Sequence, residues 1–153
     1  MANICSINFN LVFKTPEAKT IFMNEFNQKI VAAKVKHEGV RIAENKWLFD
    51  SCIEDQGESS AEIYGSVRWA LEHESIREFT KYLELMQILS FECSYEETGC
   101  LIYGKYSYEN GELSDCYVEE SHSAWELLMT GEDDYFDELD DALETEATIV
   151  MVA

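Results

Sequence analysis

Residues 4–30 read ICSINFNLVFKTPEAKTIFMNEFNQKI, and the hydrophobic period changes in the middle of that stretch. In its first part, Cys5, Ile7, Phe9, Leu11 and Phe13 alternate with Ser6, Asn8 and Asn10. Side chains of a strand point to opposite faces in turn, so this alternation predicts a half-buried strand over Ile4–Phe13. Thr15-Pro16-Glu17 then opens a helix, with Thr15 as N-cap and Pro16 at the first helical position, where its missing N–H is not needed. Ala18, Ile21, Phe22, Phe26 and Ile30 recur every three or four residues and form one apolar stripe along it.

Working outward, residues 34–46 show neither period. Lys46–Ile53 reads as a short strand and Glu54–Ser60 as a polar loop. A strand with Ile63, Val67 and Trp69 covers about Glu62–Leu71, followed by a second amphipathic helix that turns Ile76, Phe79, Leu83 and Met86 inward. Leu89–Tyr95 is a further strand, and Glu96–Gly99 turns the chain. Cys100–Tyr108 and Glu112–Val118 are strands joined through Asn110-Gly111, a dipeptide that tolerates the left-handed backbone of a tight hairpin. The order strand, helix, strand, strand, helix, meander implies an α+β fold. Its plan is ferredoxin-like: an antiparallel sheet with two helices on one face, extended by a β-meander.

The last third continues with Ser123-Ala124-Trp125-Glu126, a capping box that predicts a short helix carrying Trp125, Leu128 and Met129 and ending at Gly131. A second helix is expected from Asp133 or Asp134, docked through Tyr135, Phe136, Leu139 and Leu143. The β-branched run Ala147–Val152 is expected to pair with the sheet, since a free strand this apolar invites aggregation. The reading is one domain over residues 1–153: a core over 1–118 and an acidic helical extension with a terminal strand over 119–153.

A chain of 153 residues with 46% hydrophobic residues and one proline can bury a core without disulfides or metals. It has no apolar run of membrane-spanning length, and its start lacks the basic and apolar regions of a secretory signal, so a cytoplasmic location is expected. Five cysteines (Cys5, Cys52, Cys93, Cys100, Cys116) form no C-x-x-C and read as reduced, mostly buried thiols. His37, His73 and His122 have no ligand-like spacing to them, so neither metal nor cofactor is expected.

Charge is distributed unevenly. Residues 106–153 hold 15 acids and no Lys or Arg, against 16 acids and 11 bases in residues 1–105. The sign is wrong for nucleic acid and for anionic membranes, which leaves cations and basic protein surfaces as partners. Glu132 to Glu146 carries nine carboxylates; over roughly 21 Å of helix that is about one charge per 2.3 Å, against about 1.7 Å for duplex DNA.

The opening Ala2-Asn3-x-Cys5, the Val67-x-Trp69 strand before a helix, and Tyr95-Glu96-x-x-Gly99 followed by Gly104 resemble the YubB-like family of small plasmid- and phage-encoded proteins. The likeness covers roughly residues 1–118. It implies a ferredoxin-like core and a mobile-element origin, and it carries no catalytic residues.

Two classes of function follow. In the first, a non-enzymatic interaction protein imitates nucleic-acid phosphate and inhibits a host nucleic-acid-binding defence protein, of anti-restriction or anti-CRISPR type. Glu132, Asp133, Asp134, Asp137, Glu138, Asp140, Asp141 and Glu144 would be the contact set, facing the basic surface of that protein or nuclease. An acidic face that only solubilises, or an adaptor without mimicry, is the plainer version. In the second class the chain is a small enzyme using a Cys/His site, with His73 between Glu72 and Glu74, or Cys93 or Cys100 near His73 or His122. No P-loop, G-x-G-x-x-G, G-x-S-x-G or H-E-x-x-H supports that class, and Asp133–Asp137 lacks the central Gly and ligand spacing of a calcium loop. Tyr95, Tyr103, Tyr106, Tyr108 and Tyr117 crowd the meander as cross-strand aromatic pairs or interface anchors.

Overall fold

The computed structural model describes residues 3–126 and 135–152. The strand–helix opening forms as read, except that Ile21 points to solvent while Ala18, Phe22, Phe26 and Ile30 are buried. β1 (Ile4–Phe13) buries its odd-numbered residues, and in α1 (Pro16–Val35) the Thr15 side chain accepts from the Ala18 N–H at 3.0 Å. Then follow β2 (Val40–Ala43), β3 (Lys46–Asp55), β4 (Ser60–Arg68), α2 (His73–Leu85) and β5 (Ile88–Glu97). A 3-10 turn (Thr98–Cys100), β6 (Ile102–Glu109), β7 (Glu112–Tyr117), a second 3-10 turn (Ser123–Trp125), α3 (Tyr135–Thr145) and β8 (Thr148–Val152) complete the described elements.

These strands make one sheet in the order β2-β3-β4-β1-β5-β6-β7-β8, with every neighbouring pair antiparallel. Its centre, β3-β4-β1-β5, interleaves two strand–helix–strand units, because β1 enters between β4 and β5 while α1 and α2 carry the chain across. On the inner face, Phe13 meets Phe22 of α1 at 5.0 Å between ring centroids, and Phe9 meets Phe79 of α2 at 5.1 Å. The helices also touch each other there through Phe22 and Tyr82. Asn110 and Gly111 both take positive φ, the signature of a type I′ turn, and fix the β6–β7 register.

Several sequence expectations need correction. Residues 34–46 contain β2, which pairs with β3 and buries Val40 and Ile42. The loop after β3 is shorter than Glu54–Ser60, because the β3–β4 ladder continues to Asp55 opposite Ala61. β5 runs on to Glu97, so the turn falls at Thr98–Cys100 and Cys100 precedes its strand. Ser123 does not cap: His122 does, its Nδ1 accepting from the Ala124 N–H at 3.0 Å, and the segment is a 3-10 turn. The remainder of that expected helix, with Leu128, Met129 and Gly131, lies outside the described residues, as does the expected helix start at Asp133 or Asp134. The cysteines are less buried than expected, since only Cys5 and Cys93 are buried while Cys52 and Cys100 are exposed. The terminal strand does pair, β8 lying antiparallel to β7 from Tyr117–Thr148 to Leu113–Val152.

A second, smaller apolar cluster stands apart from the main core. Val118, Ala124, Trp125, Leu139 and Ala142 form it, with Leu101, Tyr103 and Leu143 packed against them. It holds α3 against the outer face of the sheet, where the Tyr103 hydroxyl donates to Asp140 and the Cys116 thiol to the Leu143 carbonyl.

Candidate functional site

Two surfaces carry chemistry. The first is the outer face. Strand registers align Glu54, Glu62, Asn10, Glu92, Ser107 and Ser114 in one row across the sheet. A second row aligns Ser66, Ser6, Glu96 and Tyr103. Between the rows lies a shallow cavity of about 410 Å³, lined by Ser6, Asn8, Tyr64, Ser94, Glu96 and Tyr103. α3 meets its edge where Asp140 accepts from Tyr103, and Asp137, Glu138, Asp140, Asp141 and Glu144 of that helix are all exposed. Burial, then the charge of Asp140, push the Glu96 carboxyl above its usual range, so helix and sheet share one anionic field. The described ion pairs include none of those five α3 carboxylates. Lys105 enters this face, 3.7 Å from Glu92.

Of the predicted contact set, the structure thus brings Asp137, Glu138, Asp140, Asp141 and Glu144 onto one short helix, while Glu132, Asp133 and Asp134 lie outside the described residues. Sequence reasoning missed Glu54, Glu62, Glu92 and Glu96. Their signal was their place on the polar side of alternating strands, which only the registers turn into one surface.

The second surface is on the inner face, beyond the start of α2. Asp115 of β7 is only 4% exposed. Its carboxylate accepts from the Tyr95 hydroxyl at 2.5 Å and faces His73 Nε2 at 2.9 Å. Tyr106 lies tilted against Tyr95 at 5.1 Å between ring centroids, donates to the Leu71 carbonyl at 2.7 Å, and meets the His73 ring edge-on at 5.9 Å. A cavity of about 430 Å³ opens over this group. The sequence singled out His73 for its neighbours Glu72 and Glu74, but Glu72 is turned toward Lys46 at 2.9 Å, and the partner of His73 is Asp115.

Cys5, Cys93 and Cys100 carry no activating shift. Burial pushes Cys5 up to about 11 and also raises Cys93, and the hydrogen bond with Glu97 raises Cys100. A reactive cysteine needs the opposite shift. His122 pairs with Glu146 at 2.5 Å. Among the described residues, no group of three His, Cys, Asp or Glu side chains could hold a metal ion, and no helix is long and apolar enough to cross a membrane.

Interleaved strands, helices and an acidic outer face define a ferredoxin-like α+β domain. The chain belongs to the family described as the ferredoxin-like domain in Api92-like protein, whose sequence model matches residues 46–146. That match begins at β3 and runs through α3, so the acidic helix lies within the family domain. Comparison with curated proteins gives no match, and comparison with solved structures gives none.

Proposed function

We propose that this is an interaction protein that presents a phosphate-like field to a basic, nucleic-acid-binding protein and occupies the groove where nucleic acid would lie. The observation that carries the reading is the set of five exposed carboxylates on α3, absent from the described ion pairs, beside the Glu54, Glu62, Glu92 and Glu96 carboxylates of the outer face. From Asp137 to Glu144, five carboxylates occupy roughly 11 Å of helix, about one per 2 Å, close to the spacing on duplex DNA. Such a field steers a basic partner from a distance, and carboxylates then pair with the Arg and Lys groups that hold phosphates.

Most bases lie away from this field, Lys105 and Arg68 being exceptions on the outer face. Lys14, Lys19, Lys29, Lys34, Lys36, Arg77 and Lys81 all lie in or beside α1 and α2, the helices that cover the inner face of the sheet. The arrangement we propose is therefore two helices behind the sheet and acidic helical structure in front, Glu132, Asp133 and Asp134 extending the contact set. With the YubB-like resemblance, the reading places the protein on a mobile element, acting in the host cytoplasm against a restriction or CRISPR nuclease without binding nucleic acid itself.

The test is retention of host proteins on the immobilised chain under a salt gradient, compared with the Asp137→Lys/Asp140→Lys/Asp141→Lys triple variant. The expected result is a nucleic-acid-binding protein that elutes at moderate salt, is displaced by added DNA, and is lost from the variant. Identical profiles from the two proteins would reduce the acidic face to a solvated surface.

A further inference from the structure

The inner-face cavity calls for a ligand of its own. Asp115 is a buried carboxylate whose contacts are a neutral phenol, Tyr95, and an imidazole, His73. A buried anion is costly unless a cation compensates it, and His73 supplies that charge only when protonated. Among the described residues no Lys or Arg lines this cavity, whereas Glu119 and Glu120 stand at its rim. Tyrosines are frequent in its lining: Tyr95 and Tyr106, both buried, with the half-buried Tyr103 and Tyr117. Leu101, also in the lining, adopts a left-handed backbone with φ of 55°. That conformation is costly for a branched side chain, and such strain recurs at ligand clamps.

We propose that this cavity binds an organic cation, an alkylammonium or guanidinium head, seated on the tyrosine rings with its charge toward Asp115. Tyrosine faces attract large, weakly hydrated cations, and the volume of about 430 Å³ suits a small ligand. An anion would meet Asp115, Glu119 and Glu120, and a neutral apolar ligand would make no use of these carboxylates. A small metal ion fits poorly, because no three-ligand group exists among the described residues. The same head group is carried by a free alkylguanidine and by an arginine side chain of a protein. The proposal is independent of the acidic outer face.

The experiment is titration of the full chain, in moderate salt, with agmatine, with an acetylated and amidated Gly-Arg-Gly peptide, and with butylurea as the neutral isostere. Binding is read by calorimetry and by amide and imidazole chemical shifts. Saturable binding with one ligand per chain is expected for at least one cation and not for butylurea, with shifts centred on His73, Tyr106 and Tyr117. Tighter binding of agmatine marks a free metabolite, and tighter binding of the peptide marks a side chain of a partner. Asp115→Asn, which keeps an acceptor for Tyr95, should weaken binding at least tenfold. The rim variant Glu119→Gln/Glu120→Gln gives an independent check at positions that do not build the core, and should weaken it several-fold. Asp137→Lys/Asp140→Lys/Asp141→Lys should leave it unchanged. Absence of saturable binding to the wild-type chain, equal binding of butylurea, or binding lost only in the lysine variant would each overturn the proposal.

Discussion

At the scale of single residues, Gly104 shows how one missing side chain organises the cavity. It lies opposite Tyr95 in the β5–β6 ladder, and a Cβ there would sit 2.4 Å from the Tyr95 hydroxyl and 2.9 Å from the Cys116 carbonyl. Glycine inside a strand often marks a close approach of this kind. Gly104→Ala is therefore expected to displace the Tyr95 phenol from Asp115 and to destabilise the fold by about 1–3 kcal/mol, the usual range for overpacking, as measured by denaturant unfolding. The cysteines give a second prediction. Cys52 and Cys100 are exposed, Cys5 and Cys93 are buried, and burial raises both buried thiols. A thiol reagent at pH 8 should label Cys52 and Cys100 in the native protein, while Cys5 and Cys93 react only on unfolding. Rapid native labelling of Cys93 would contradict the packing described. These residue-scale features were the least legible in the sequence. Asp115 and its partners Tyr95 and His73 are 20 and 42 positions apart, so no local spacing announces them. The one sign was a carboxylate at the inward position between Leu113 and Tyr117.

At the scale of elements, long periodic segments were readable because burial of one face dictates their pattern. β1, α1, α2 and the β6–β7 hairpin all follow from periodicity, caps and turn chemistry. β2 was not readable, since four residues with Arg41 among them are too short to show a period and gain their place only by pairing with β3. The Ser123 capping box misled for a related reason: a single 3-10 turn needs only one cap bond, and His122 supplies it. How α3 attaches was half legible, as Leu139 and Leu143 marked its apolar side but nothing in the sequence said which face of the sheet it would cover. Leu139 is fully buried in a cluster separate from the main core. Leu139→Ala should cost about 2–5 kcal/mol of local packing, expressed as release of α3 with the sheet intact. Hydrogen exchange should then rise sharply across Tyr135–Thr145 and stay slow in β1, β4 and β5. Global unfolding of the variant would instead show that both clusters form one cooperative unit.

At the scale of the whole molecule, a net charge of −20 sets how stability responds to salt and pH. Like charges crowd α3 at Asp137–Asp141 and Asp140–Glu144, each pair unfavourable by about 0.2–0.5 kcal/mol, and repulsion between faces adds to this. Salt shortens the screening length from about 30 Å at 0.01 M to about 3 Å at 1 M, so the midpoint of thermal unfolding should rise with sodium chloride. Acidification should act in the same direction at first. The Glu96 carboxyl is raised by burial and by Asp140, so the folded state takes up its proton at a higher pH than the unfolded state. Stability therefore rises as pH falls through that raised value. Asp55 has the opposite sign: its hydrogen bond with Lys19 lowers it below 3.8, so its contribution is present above that value and is lost as pH falls through the depressed one. On the alkaline side Cys5, raised from 9.0 to about 11, keeps its proton only when folded, and stability declines across that interval. The three shifts together place the stability maximum on the acid side, between the loss from Asp55 at lower pH and the loss from Cys5 at higher pH. Thermal melts from pH 3 to 10 at two salt concentrations test this directly. The maximum should flatten in high salt, where repulsion is screened, while the acid-side loss from the Lys19–Asp55 pair persists. A maximum at neutral pH that salt does not alter would mean that the acidic field does not govern the stability of the fold.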